Sequence, residues 1–152
     1  MLGVNVGFGA GTRGPEVTFV ELDGERASPC LVDSGELRTA ELSIIDQIND
    51  LSRKFSSLLS GMDPDVVVIR VADVSPRPSR KASPRHRLMI EGALAYVCAE
   101  QPVSEVLLRN GKEVGEALGI AKDEAMSEGK ALDPKREEAA AAALSGLPPQ
   151  AG

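Results

Sequence analysis

The sequence predicts an α/β fold on a five-stranded mixed sheet, three antiparallel strands followed by two parallel ones, flanked by helices. Three observations carry this. Leu2, Val4, Val6 and Phe8 alternate with Gly3, Asn5, Gly7 and Gly9, a period of two that marks a strand with one apolar face and one small-residue face. Asp23-Gly24 is a two-residue hairpin signal between two further strand-like runs. Residues 65–71 (DVVVIRV) are β-branched without alternation, as suits a strand buried on both faces in a parallel pair.

Taken in order, the first strand runs into a glycine turn, and Asn5 is the one side chain on its small face that carries chemistry. A second strand is expected over 16–22 and a third over 26–32, where Pro29 suits an edge position. Residues 33–38 read as a turn. A helix follows over 39–60, with Leu42, Ile45, Ile48, Leu51, Phe55, Leu58 and Leu59 at spacings of three and four. Gly61 sits just past its end and Pro64 forbids continuation. After the strand at 65–71, residues 73–83 form a loop with Pro76 and Pro78. Ser83-Pro84 has the character of a helix cap and first turn, opening a helix over 84–100 that contains Gly92. A fifth strand is expected over 103–108, short helices over 112–118 and 122–128, and a last helix over 134–144. One domain over 1–147 and a disordered tail over 148–152 complete the expected organisation.

The 152 residues suffice for one core, and with three Phe, one Tyr and no Trp that core is aliphatic. So few aromatics argue against a base-stacking platform for single strands. Cys30 and Cys98 have no metal-ligand spacing and read as two buried free thiols. The start lacks a basic n-region and a cleavage site, and no apolar run is long enough to span a bilayer, so a cytoplasmic protein with no membrane partner is expected. The net charge of −6 is uneven. Residues 70–87 hold six cations against Asp73, or +5, while the other eleven cations face twenty-two acids, or −11.

The order of elements resembles the ribonuclease H fold. Leu2-Gly3-Val4-Asn5-Val6-Gly7 is similar to the first strand of RuvC-type resolvases and YqgF-like proteins, which read Leu/Ile-Gly-Ile-Asp-Pro-Gly or Gly-Ile-Asp-x-Gly. Val67-Val68-Ile69-Arg70 stands where that family has a strand ending in a catalytic Glu. Lys135 to Leu144 (KREEAAAAAL) resembles the helix that carries the family's last acids. The resemblance implies a site where carboxylates hold two divalent metals, which activate water and steady the leaving oxygen of a phosphodiester.

The departures fall on those carboxylates. Asn5 replaces the first acid, Arg70 the second, and of Lys135 and Glu138 near the last two only Glu138 is an acid. Magnesium prefers anionic oxygen ligands. The expectation is a catalytically degenerate domain, with Asn5, Arg70 and Glu138 as degenerate positions, no metal and no cofactor. It would act by binding nucleic acid or a protein partner. The alternatives are a metal-dependent nuclease with an atypical site, which would need Mg2+, and a small scaffold subunit, perhaps a homodimer. Asn5 has a structural reading beside the ligand one, as a hydrogen-bonding core residue. Arg70 is expected to pair with Glu137 or Glu138, with contact to an anion or exposure to solvent as the alternatives.

The binding residues expected from the basic stretch are Arg77, Arg80, Lys81, Arg85 and Arg87, which would contact phosphates without reading sequence. The bland reading of the same stretch is a solvated loop. His86 has no identifiable partner and reads as a surface residue. Glu137 and Glu138 also complement the dipole of the helix they open.

Overall fold

In a computed structural model of the chain, which describes residues 1–8, 14–73 and 82–150, the elements are β1 (Leu2–Phe8), β2 (Pro15–Glu25), β3 (Ser28–Arg38), α1 (Ile44–Met62), β4 (Val66–Arg70), α2 (Ala82–Glu100), β5 (Glu105–Arg109), α3 (Gly111–Leu118), α4 (Lys122–Leu132) and α5 (Glu137–Gly146). The sheet order is β3-β2-β1-β4-β5. β1 pairs antiparallel with β2 and β2 with β3, while β4 pairs parallel with both β1 and β5. The expected mixed sheet of three antiparallel and two parallel strands is the observed one.

The sheet has a different cover on each face. On one face Leu2, Val4, Val6, Val67 and Ile69 pack against Leu51 and Phe55 of α1 and Ile90 and Leu94 of α2. On the other, Val20 and Leu22 pack against Ala139, Ala140, Ala143 and Leu144 of α5. The glycine face of β1 explains the alanine helix. A Cβ added at Gly3 would run into the backbone of Ala139 and the backbone and methyl of Ala143, so α5 can lie this close to β1 only because Gly3 has no side chain.

Arg26, at the tip of the β2–β3 hairpin, holds the carboxyl ends of α5 and α3. Its Nε donates to the carbonyl of Leu147 at 2.7 Å, and its Nη1 and Nη2 to those of Ala117 and Ser145 at 2.6 and 2.9 Å. A guanidinium there satisfies end-of-helix carbonyls and complements the dipole. Arg109 adds a bond from Nη1 to the Ser145 carbonyl at 2.7 Å.

Several boundaries differ from expectation. β3 is eleven residues long, and 33–38 is strand rather than turn. Its polar residues face water at the sheet edge, and pairing of Glu16 with Arg38 extends the ladder to the start of β2. Asp23-Gly24 lies inside the ladder, opposite Cys30 and Pro29, with Gly24 at φ 93°, and the chain reverses at Arg26-Ala27. α1 begins only after Ser43, whose Oγ accepts the Asp46 N–H at 3.2 Å, so Leu42 lies outside it. Ile45 is exposed, Gly61 is helical, and Asp63 caps the end at φ 49°. Ser83 is inside α2 rather than at its cap. Cys98 is buried as expected, but Cys30 is exposed on the edge strand. The Pro148 carbonyl, in the segment expected to be a tail, accepts the Arg26 N–H at 3.2 Å, and residues 151–152 lie outside the described residues.

Candidate functional site at the carboxyl ends of β1 and β4

In an open α/β sheet the space beyond the carboxyl ends of the parallel strands is where sites form. Here that space receives Asn5 from β1, Arg70 from β4, Arg87 and Glu91 from α2, and Asp73 from the segment after β4. Asn5 and Arg70 are register partners in the parallel ladder.

Asn5 and Arg70 part company beyond the strand ends. Nη2 of Arg87 donates to Oδ1 of Asn5 at 3.1 Å, and Nε of Arg87 donates to Oε1 of Glu91 at 2.8 Å. That carboxylate oxygen also accepts the Ala72 N–H at 2.9 Å. Glu91 is buried and half-buried Arg87 is its cation. The relay ties β1, α2 and the exit of β4 together.

Arg70 is buried, and its partner is Asp73, at 3.3 Å from Nη2. Its Nη1 donates to the carbonyl of Val71. The expected pairing with Glu137 or Glu138 does not occur, nor does Arg70 face solvent. Its guanidinium is tucked under the start of α3, where a Cβ added at Gly111 would stand 2.7 Å from Nη2. Asp73 also accepts from Nζ of Lys122 at 2.7 Å and from the Gly111 N–H at 3.0 Å. The Lys122 hydrogen bond leads in holding the Asp73 carboxyl down at about 2, joined by the Gly111 N–H and the Arg70 charge.

A third group lies on the α5 side. Asn5, Thr18 and Glu16 line an open cleft of about 220 Å³ with Lys135, Arg136, Glu137 and Glu138 at the start of α5. Asn5 and Glu138 therefore share a cleft as the sequence suggested, and Arg70 does not line it. Arg136 pairs with Asp133 at 3.1 Å. Burial raises the pKa of Asp133, but hydrogen bonds from the Lys135 N–H, Arg136 and Ser34 outweigh it and hold the group below its usual value. Among the described residues no three of His, Cys, Asp and Glu converge as metal ligands.

Of the binding residues expected from the basic stretch, Arg77, Arg80 and Lys81 lie outside the described residues. Arg85 is exposed in α2. Arg87 is not on that surface: it turns inward to Asn5 and Glu91, because a buried carboxylate one helical turn away needs a cation. His86, expected at the surface, is half-buried. Sequence reasoning missed Glu91, Asp73 and Lys122 as members of the site. The Arg87–Glu91 spacing of four was a usable signal. Asp73 and Lys122 stand 49 positions apart, and nothing local links them.

No family model and no curated protein matches this chain. Solved structures do. The structure of Thermus thermophilus RuvC superposes with a TM-score of 0.69 at 17% identity, covering 95% of this chain and 92% of that one. T. thermophilus RuvC in complex with a Holliday junction substrate superposes with a TM-score of 0.66 at 15% identity, covering 95% and 91%. The chain has the RuvC-like, ribonuclease H-type fold. No described helix is long and apolar enough to cross a membrane.

Proposed function

We propose that this chain is a ribonuclease H-like domain that binds nucleic acid without hydrolysing it. One observation carries the reading: where the fold resemblance implies carboxylates, Asn5 has its amide oxygen committed to the Arg87 guanidinium, and Arg70 brings a buried cation. A divalent metal needs hard anionic oxygens converging on one point. Asn5 and Arg70 supply an engaged amide and a positive charge instead, so the residues present do not fit a two-metal site, and no hydrolytic step is derived through one. Nucleic-acid binding is supported by the likeness to a resolvase whose structure holds a Holliday junction. It is also supported by Arg85, exposed next in sequence to the basic run Arg77, Arg80 and Lys81. Cytoplasmic residence fits this reading.

A metal-dependent nuclease is the second reading, favoured by Glu16, Glu137 and Glu138 lining one cleft beside Asn5. The test incubates purified protein with magnesium or manganese and duplex, single-stranded and branched DNA and RNA, and measures binding to the same molecules. We expect no cleavage. Binding should be sequence-independent, fall with salt at a log–log slope of roughly −0.9 per contacted phosphate on duplex, and be lost on changing Arg77, Arg80, Lys81 and Arg85 together to Ala. Metal-dependent cutting abolished by Glu138→Gln would establish the second reading. Absence of binding at low salt would remove nucleic acid and leave a protein partner or a scaffold.

A further inference from the structure

The carboxyl ends of α1 and α2 meet at the amino ends of β4 and β5, the pole opposite the candidate site. The Gln101 side chain just past α2 donates to Oγ of Ser56 in α1 at 2.9 Å. Both helices are 19 residues long, and neither has a cation in its last turn. Helix dipoles leave partial negative charge at such ends. Among the described residues no backbone N–H reaches the carbonyls of Ser60, Gly61, Ala99 or Glu100.

A half-open cavity of about 210 Å³ lies between the two ends. Leu59 and Pro64 on the α1 side and Pro102 and Val103 on the α2 side give it apolar walls, and Asp63 lines it as well. Three more carboxylates stand around it. Asp65 and Glu100 adjoin the lining residues Pro64 and Gln101 in the chain, and the Glu105 N–H donates to the Asp65 carbonyl at 3.2 Å. Asp63, Asp65, Glu100 and Glu105 are all exposed, and none has an ion-pair partner among the described residues.

The ends of α3 and α5 show what this fold does with such acceptors. There Arg26 donates to the carbonyls of Ala117, Ser145 and Leu147, and Arg109 to that of Ser145. The ends of α1 and α2 offer the same kind of carbonyl with more negative charge around it, and no described arginine reaches them. We propose that this pole docks a basic segment of a partner protein, with one arginine side chain entering the cavity. The methylene stem lies on the apolar walls while the guanidinium meets Asp63 and the helix-end carbonyls. The surrounding acids attract and orient the rest of the segment. The same acids repel phosphate, so nucleic acid does not fit here. Arg85 stands about 22 Å away along α2, so the two poles can be occupied together. The inference does not depend on what the opposite pole binds.

The test titrates the isotope-labelled full chain at low salt with a blocked Gly-Arg-Gly-Arg-Gly peptide and follows backbone amide shifts by NMR. The shifts should gather at residues 59–65 and 99–105, and the lysine counterpart of the peptide should bind more weakly. Asp63→Asn with Glu100→Gln should weaken binding by about fivefold, the worth of two exposed ion pairs. Asn tolerates the φ of 49° at position 63. Asp123→Asn with Glu128→Gln makes the same change in net charge on α4 and should leave binding unchanged. Ser60→Phe alters no charge, fills the cavity and should abolish the shifts at Val103, with circular dichroism and thermal unfolding confirming that each variant folds. An arginine peptide that leaves these amides unmoved would overturn the proposal. So would equal loss in the two charge-matched variants, or a folded Ser60→Phe protein that binds as wild type, because net charge alone would then explain the binding.

Discussion

Arg87 holds Asn5 across the open end of the sheet, its Nη2 donating to the amide oxygen at 3.1 Å, while its Nε holds Glu91 at 2.8 Å. One guanidinium thus satisfies an amide midway along β1 and neutralises a buried carboxylate. The amide oxygen of Asn5 is thus engaged within the fold, and the electrostatics around it depend on a helix residue outside the strands.

Removing Arg87 should cost more than removing an exposed arginine. Arg87→Ala leaves the buried Glu91 carboxylate with the Ala72 N–H but no cation, and breaking such a pair costs about 3 kcal/mol. Glu91→Gln should cost less, since a neutral amide can still accept from Ala72. Urea unfolding of the two single variants and the double variant checks this. The double variant should be more stable than Arg87→Ala alone, because the unpaired charge is gone.

Asp73 gives the fold an acid-sensitive joint. Its folded pKa of about 2 lies below the ordinary 3.8. The group therefore contributes stability that is complete above pH 3.8 and is lost as pH falls through about 2. The joint links Arg70, Gly111 and Lys122, so protonation should loosen α3 and α4 first. Asp73→Asn should lower stability at neutral pH and flatten the profile between pH 4 and pH 2 relative to wild type. Hydrogen exchange at the start of α3, followed against pH, reads the local step.

The two thiols should differ in reactivity. Burial pushes the Cys98 thiol up to about 11, whereas Cys30 is exposed on the edge strand. An aromatic disulfide reagent at neutral pH should titrate one thiol per chain rapidly and the second only on unfolding. Cys30→Ser should abolish the fast phase and leave the slow one.

The sheet was legible because its signals are local. Alternation in β1 and the unbroken β-branched run of β4 each report burial on known faces. The second half of β3 reads as a turn because an edge strand wets one side, and Asp33, Ser34 and Glu36 look like turn residues when their neighbours are unseen. Ile45 fits the helical spacing of the stripe although α1 turns it outward. At the site, the positions Asn5, Arg70 and Glu138 came from a resemblance, but their partners did not. Arg70 found Asp73, three residues away, in preference to α5. Asp73 in turn is held by Lys122, through a contact that exists only once the chain has folded.

The glycine face of β1 also bears on when the molecule can form. Gly3 is covered directly by the backbone of Ala139 and Ala143, and Val20 and Leu22 are covered by the same helix. These residues lie at opposite ends of the chain, so closing this layer spans nearly its whole length and makes a late, slow contact. During synthesis the first strand is made early and its roof last. Until α5 is made, the meander β1–β3 has an apolar face with nothing to lie against it, the condition in which a nascent chain associates with its neighbours.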